Sequence, residues 1–168
     1  MSVVINGSTG VTAPAFDGAV DAADLTGTLP AIDGSALTGL GMTLLGTIAT
    51  TSGSSVTLSG LGLTGYKFLQ LSMSEVSSSS SFDFMNLNGY SAVQVTAGDV
   101  AHVTYGGGFI DLSTGAFYVS ATTLNGTAIA AQSTRGGTSG LTTASTSITF
   151  TLSSGTFDAG SIKVYGVA

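Results

Sequence analysis

From residue 43 to the C-terminus, the chain is built from short runs in which apolar and polar residues alternate. Residues 147–153 read S-I-T-F-T-L-S, which places Ile148, Phe150 and Leu152 on one face of a strand. A two-residue period of this kind predicts half-buried strands and excludes an amphipathic helix. Two further runs repeat it, with Leu69, Leu71 and Met73 sharing one face and Ile162 and Val164 sharing another.

Turn-forming glycines and serines separate these runs, and no helical period lies between them. The tract over residues 77–81 is all serine and has no periodicity, which predicts an exposed loop. Many short strands with turn signals at regular spacing predict a sandwich or a barrel over residues 43–168. The remaining strand candidates are 44–49, 55–58, 82–87, 93–95, 100–105, 117–121 and 128–131.

The composition supports an all-β fold and excludes two classes of partner. Charged residues make up 7% of the chain, against about 25% in an average soluble domain. The apolar fraction of 43% is too high for a disordered chain, and 25 glycines suit a protein with many tight turns. The net charge is −6, and the basic residues are Lys67, Arg135 and Lys163. Three scattered cations cannot form a nucleic-acid surface or a polybasic membrane anchor.

Other functional classes are excluded by what the sequence lacks. The chain has no cysteine, so it forms no disulfide and no thiolate metal site. Its first residues show no basic segment followed by an apolar core, so we expect no signal peptide. No run of about 18 apolar residues is present, so we expect no membrane insertion. These absences predict a chain that folds in a cytoplasm.

Residues 24–40 form a half-repeat that fits neither a helix nor a strand. The tetrapeptide D-L-T-G at residue 24 returns as A-L-T-G at residue 36. Alone in water such a segment cannot offset its ordering entropy of roughly 1–2 kcal/mol per residue. Three copies wound together would bury its apolar residues on a shared axis, which predicts a trimeric stalk over residues 24–42. The alternative is a flexible linker. The apolar stalk residues are Leu25, Leu29, Ile32, Leu37 and Leu40.

Three stretches of the sequence resemble tailed-bacteriophage fibre proteins, either tail fibres or related virion fibres. They are residues 4–12 (V-I-N-G-S-T-G-V-T), the stalk repeat over 25–40, and the closing segments 146–150 and 160–167. Between residues 43 and 145 the sequence is similar to these proteins only in its general character, and no motif matches. The resemblance implies a homotrimer, an N-terminal virion attachment and a distal β-sandwich, with no shared catalytic residues. Many fibres are far longer, so a short one could instead sit on the capsid or baseplate.

Taken together, these features predict an all-β protein in three parts. Residues 1–23 form an extended anchor and residues 24–42 a short trimeric stalk. Residues 43–168 form an antiparallel, jelly-roll-like β-sandwich. In the anchor, Val3, Val4 and Ile5 are a short β-like run that could add a strand to an exposed sheet edge of a virion neighbour.

Motifs that could carry chemistry have simpler explanations. Residues 60–65 match G-x-G-x-x-G, but the alternation after them predicts a strand rather than the helix that a dinucleotide site needs. His102 is the only histidine, which is too few ligands for zinc, and we expect an ordinary strand residue. Asp17, Asp21 and Asp24 lack the ligand order of a calcium loop, so helix capping or exposure explains them better. We therefore expect no cofactor, no metal and no catalytic residue.

Four aromatic residues are candidates for host contact: Tyr90, Tyr105, Phe109 and Tyr118. Glycines 106–108 lie beside two of them, and aromatic rings in glycine-lined loops could stack on sugars. The alternative is core or inter-subunit packing, and the absence of tryptophan weakens a lectin interpretation.

Three functions remain open after these exclusions. The first is a structural virion protein, a short homotrimeric fibre that attaches to other virion proteins and presents its sandwich to a host surface glycan or protein. The second is a capsid decoration, cement or head-fibre protein. The third, a glycan-cleaving enzyme, lacks paired carboxylates and is the weakest. In the first two, the protein would be located in the virion.

Overall fold

All regular structure in the computed structural model, which describes residues 41–80, 83–95 and 102–168, consists of β-strands. Each strand candidate from the sequence corresponds to one of them. The strands are β1 (Met42–Ala49), β2 (Ser55–Ser59), β3 (Phe68–Ser78), β4 (Asp83–Leu87), β5 (Tyr90–Val95), β6 (His102–Asp111), β7 (Ala116–Asn125), β8 (Ala128–Thr138), β9 (Ser147–Leu152) and β10 (Phe157–Val167).

These strands form two antiparallel sheets, which confirms the predicted all-β class. The six-stranded sheet has the order β1-β10-β3-β6-β7-β8, and the four-stranded sheet has the order β2-β9-β4-β5. The inner faces of the two sheets enclose one hydrophobic core, as in a β-sandwich. At the two sides β5 packs against β8 and β1 against β2.

The alternating runs supply this core as their period predicts. Ile148, Phe150 and Leu152 on β9 are all buried, and so are Ile162 and Val164 on β10. Leu69, Leu71 and Met73 on β3 are also buried. Residues 60–67 form a loop between β2 and β3, so the glycine motif at residues 60–65 does not open a helix.

The sequence prediction for the serine tract is wrong for its first two residues, whereas Ser79 is exposed in a bend as predicted. Ser77 and Ser78 are buried and end strand β3 rather than forming an exposed loop. The Ser78 hydroxyl donates a 2.8 Å hydrogen bond to Oδ2 of the buried Asp83, and the Ser77 hydroxyl donates to Oδ1 of Asp158. Carboxylates on β4 and β10 satisfy these hydroxyls, so they can be buried at low cost. Ser81 lies outside the described residues.

The N-terminal predictions also lie outside the described residues. They concern the anchor residues Val3, Val4 and Ile5 and the stalk residues Leu25, Leu29, Ile32, Leu37 and Leu40.

Candidate functional site

The outer face of the six-stranded sheet carries most of the exposed large apolar side chains in the described residues. Leu44 pairs with Tyr165, Tyr165 with Gln70, Gln70 with Phe109, and Phe109 with Tyr118. Directly paired residues on antiparallel strands point to the same side of a sheet, so this row lies on one face. Residues an even number of positions away on the same strand point to the same side, which adds Met42 on β1, Phe68 on β3 and Tyr105 on β6. We call this set the outer face: Met42, Leu44, Phe68, Tyr105, Phe109 and Tyr118, between 38% and 55% exposed.

Three of the four aromatic residues predicted as host contacts lie together on the outer face. Phe109 and Tyr118 are direct cross-strand partners, and Tyr105 lies four residues before Phe109 on the same face of β6. Tyr90 does not join them, because it begins β5 in the four-stranded sheet. Its side chain is exposed in that sheet.

Phe68, Met42 and Leu44 are outer-face residues that the sequence reasoning missed. The sequence does contain a signal that identifies Phe68 as an outward-facing residue. The alternation that assigns Leu69 and Leu71 to the core must assign Phe68 to the opposite face. Leu44 is harder to place, because the register between β1 and β10 shifts between Leu44 and Gly46. A bulge of this kind changes which side chains face the core.

The glycine triplet lies inside strand β6, and not in a loop beside the aromatic rings as the sequence suggested. A Cβ atom on Gly108 would collide with the backbone carbonyl oxygen of Tyr118, and one on Gly106 with that of Ser120. Gly107 lies between Tyr105 and Phe109 on the outer face. The triplet therefore allows the close approach of neighbouring backbones and leaves a gap between the two rings.

Tyr105 is held at the edge of the outer face by a hydrogen bond to a carboxylate. Its hydroxyl donates to Oε1 of Glu75 at 3.3 Å. Partial burial, the negative charge of Glu75 and this hydrogen bond together raise the pKa of Tyr105 above its ordinary value. The phenol is therefore protonated near neutral pH and can donate a hydrogen bond to Glu75 or to a ligand. Glu75 adopts a φ of 57° at a bulge in β3, an uncommon conformation for a residue other than glycine.

A pocket of about 600 Å³ lies next to the outer face, where the β6–β7 turn meets the loops before β3 and before β9. Phe68 belongs to both the outer face and the pocket wall, and its direct cross-strand partner is Asp111. The Asp111 carboxylate accepts hydrogen bonds from the Ser113 hydroxyl at 2.6 Å and the Ser113 amide at 2.7 Å. Both hydrogen bonds lower the pKa of Asp111, and the bond from the Ser113 hydroxyl has the larger effect. The pocket therefore contains an ionised carboxylate.

The Asp111 hydrogen bonds predict a pH-dependent contribution to stability. A carboxyl group whose folded-state pKa is lowered stabilises the fold fully above its unfolded pKa of about 3.9. That contribution is lost as the pH falls through the lower folded-state pKa. We therefore expect the melting temperature of wild type to exceed that of Asp111→Asn by the same margin at pH 7 and pH 5, and by a smaller margin at pH 3. Thermal unfolding at the three pH values measures this, and an unchanged margin at pH 3 would contradict it.

Other kinds of site have no support in the part of the chain that the structure describes. It contains no group of three or more His, Asp or Glu side chains that could hold a metal ion. His102 begins strand β6 and is half-buried there. Within residues 41–80, 83–95 and 102–168, no helix has the length and apolar character needed to cross a bilayer.

Comparison with known proteins adds no further assignment. No protein-family model, no curated protein and no solved structure matches the chain.

Proposed function

We propose that the protein is a structural virion protein of a tailed bacteriophage. It is a short homotrimeric fibre whose residues 1–23 attach to another virion protein through Val3, Val4 and Ile5. Residues 24–42 form its stalk, and its jelly-roll-like sandwich points outward for host attachment. The outer face is the observation that carries an attachment function, because contiguous exposed apolar surface is typical of interaction sites.

The chemistry of the outer face supports binding to another surface. Phe109 and Tyr118 lie side by side on a rigid sheet, and both are more than half exposed. Aromatic side chains are enriched at the centres of interfaces, where they bury a large area at a low entropy cost. The low charge of the chain fits this role, since charged residues are depleted in interface cores.

The strand order supports the proposed jelly roll, and the jelly roll in turn allows an analogy with viral proteins and lectins. One sheet contains the order β1-β10-β3-β6 and the other the order β2-β9-β4-β5, so the chain passes repeatedly from one sheet to the other. This order supports a jelly roll to which β7 and β8 add an extra hairpin. Jelly rolls occur in viral capsid proteins and in lectins. A fold does not specify a function, so this is an argument by analogy.

Substituting the two central aromatic residues tests the attachment role. We expect virions carrying Phe109→Ser and Tyr118→Ser to adsorb to the host about tenfold more slowly or worse, since buried aromatic contacts dominate interface energies. Both side chains are exposed, so the melting temperature of the purified variant should change little. Ile129→Ser is the matched control, because Ile129 is an exposed apolar residue near the start of β8 whose cross-strand partner, Leu124, lies six residues from Tyr118 along β7.

Electron microscopy of immunolabelled virions tests the location. Label at the tail is the expected result. Label confined to the head would favour the alternative of a capsid decoration or head-fibre protein.

The adsorption experiment can also contradict the proposal. If virions that contain the usual number of copies of the Phe109→Ser, Tyr118→Ser variant adsorb normally, the outer face has no attachment role.

The trimer has its own test. Light scattering on the purified full-length protein should give the mass of three chains, because the stalk segment buries its leucines only in an assembly. A monomer at micromolar concentration would contradict the stalk argument.

A further inference from the structure

The pocket beside Phe68 is formed by three segments that are joined to one another by backbone hydrogen bonds. The amide of Leu112, in the β6–β7 turn, donates to the carbonyl of Lys67 at 2.9 Å. The Ser139 amide donates to the Gly115 carbonyl at 2.7 Å, and the Ser139 hydroxyl donates to the same oxygen at 2.9 Å. These bonds connect the turn to the loops before β3 and before β9.

Further contacts hold each wall of the pocket in place. The Lys67 amide donates to the Val167 carbonyl at 2.7 Å, which ties this wall to β10. In the loop before β9, the Thr142 amide donates to the Ser145 hydroxyl at 3.0 Å, and the Ser145 amide donates back to the Thr142 carbonyl. Tyr66 lies against Gly166, where any side chain would overlap its ring. The pocket is therefore preformed, as most small-molecule sites are, and its volume lies in their usual range of about 300–1,000 Å³.

The side chains that line the pocket combine an aromatic surface with groups that bind hydroxyls. Phe68 is 41% exposed, and Asp111 is its direct cross-strand partner, so ring and carboxylate stand side by side at a Cβ separation of about 5 Å. Ser113, Thr142 and Thr143 supply hydroxyl groups. Lys67 is a single cation in the same lining.

We propose that this pocket binds a pyranose unit of a glycan. A pyranose has an apolar C–H face, which fits against the Phe68 ring, and hydroxyl groups around its edge, which donate to the Asp111 carboxylate. Charge-assisted hydrogen bonds to a carboxylate are stronger than bonds between neutral groups, so Asp111 orients the sugar. The assignment names the ligand of the attachment function and in that respect rests on the proposed function.

Two other ligand classes fit the pocket less well. A phosphate-containing ligand would meet the ionised Asp111 carboxylate and only one lysine, in a chain whose net charge is −6. A purely apolar ligand would remove water from the carboxylate without replacing its hydrogen bonds, which is costly. A neutral polyhydroxyl ligand satisfies the carboxylate and the aromatic ring at the same time.

Ligand-observed NMR with purified full-length protein tests the assignment. The probes are the methyl glycosides of glucose, galactose, mannose, rhamnose and N-acetylglucosamine. We expect saturation transfer to at least one of them, with a dissociation constant of roughly 1 mM because a single sugar makes few contacts. Phe68→Ala and Asp111→Asn should each weaken binding about tenfold. Ile129→Ser should bind as wild type does, and melting temperatures verify that every variant is folded.

The outcomes separate this assignment from the proposed function. Failure to bind any of the five glycosides, or equal binding by wild type, Phe68→Ala and Asp111→Asn, overturns the pocket assignment. A protein that binds a glycoside through this pocket but is absent from virions overturns the proposed function alone. A virion protein that binds none of the glycosides overturns the pocket assignment alone.

Discussion

Replacing Gly108 with alanine is expected to destabilise the sandwich by about 3 kcal/mol or more. The new methyl group would overlap the carbonyl oxygen of Tyr118 and the Cα of Val119 on the neighbouring strand. These are backbone atoms in the centre of the six-stranded sheet, so they cannot rotate away as a flexible side chain can. The strands must separate, which weakens the hydrogen bonds between β6 and β7. Denaturant unfolding followed by far-UV circular dichroism measures the loss.

Gly62→Ala is the matched control for this substitution. Gly62 lies in the loop before β3, and a Cβ there meets no atom within 4 Å. We expect its free energy of unfolding to remain within about 0.5 kcal/mol of wild type. Equal stability of Gly108→Ala and Gly62→Ala would refute the close approach of β6 and β7.

Removing the buried carboxylate of Asp83 is the second substitution with a large expected effect. Its Oδ1 atom accepts hydrogen bonds from the Ser153 hydroxyl at 2.6 Å and the Ser154 amide at 2.9 Å, and its Oδ2 atom accepts the Ser78 hydroxyl. Asp83→Ala removes the acceptor of all three hydrogen bonds and leaves the buried Ser78 hydroxyl without its carboxylate in a site that water does not reach easily. We expect a loss of about 3 kcal/mol and a fall in melting temperature of about 10 °C.

Asp158→Ala separates the effect of burial from the loss of a negative charge. Asp158 is exposed and accepts the Ser77 hydroxyl, so its removal leaves fewer donors unsatisfied. We expect a loss of about 1 kcal/mol. If calorimetry gives the same melting temperature for both variants, the Asp83 hydrogen bonds do not hold β3, β4 and the β9–β10 turn together.

The strands could be predicted because their signal is local. Along β9 the identities of Ile148, Phe150 and Leu152 are sufficient to define a buried face, since a strand exposes alternate residues to opposite sides. The same argument located β3 and β10. Turn glycines fixed where these strands end, because few other residues adopt positive φ. Gly155, between β9 and β10, has a φ of 66°.

The serine tract and the glycine triplet show where local signals are insufficient. Residues 77–80 look like a solvent-exposed loop, because polar residues without periodicity usually are. Ser77 and Ser78 are buried only because Asp83 and Asp158 approach them in the folded chain. Glycines 106–108 look like a flexible loop, but they serve the approach of β3 and β7 to β6. For Ser77 and for the glycines the deciding partner is remote in sequence, and for Ser78 it is a residue of the next strand.

The candidate sites also divide into features that have a local sequence signal and features that depend on residues remote in sequence. Tyr105, Phe109 and Tyr118 could be selected from the sequence as aromatic residues near glycines, but their arrangement as one face depends on the pairing of β6 with β7. The pocket could not be selected, because its walls come from three segments that the chain separates by many residues.

The sequence by itself determined the all-β class, the approximate positions of the strands and the buried faces of β3, β9 and β10. Alternation and turn chemistry act over a few residues, and each short run carries its own signal. Only the tertiary structure decided the order of the strands, the burial of Asp83, the outer face and the pairing of Phe68 with Asp111. These features depend on which strands become neighbours, and that choice is made by packing and hydrogen bonding among residues distant along the chain.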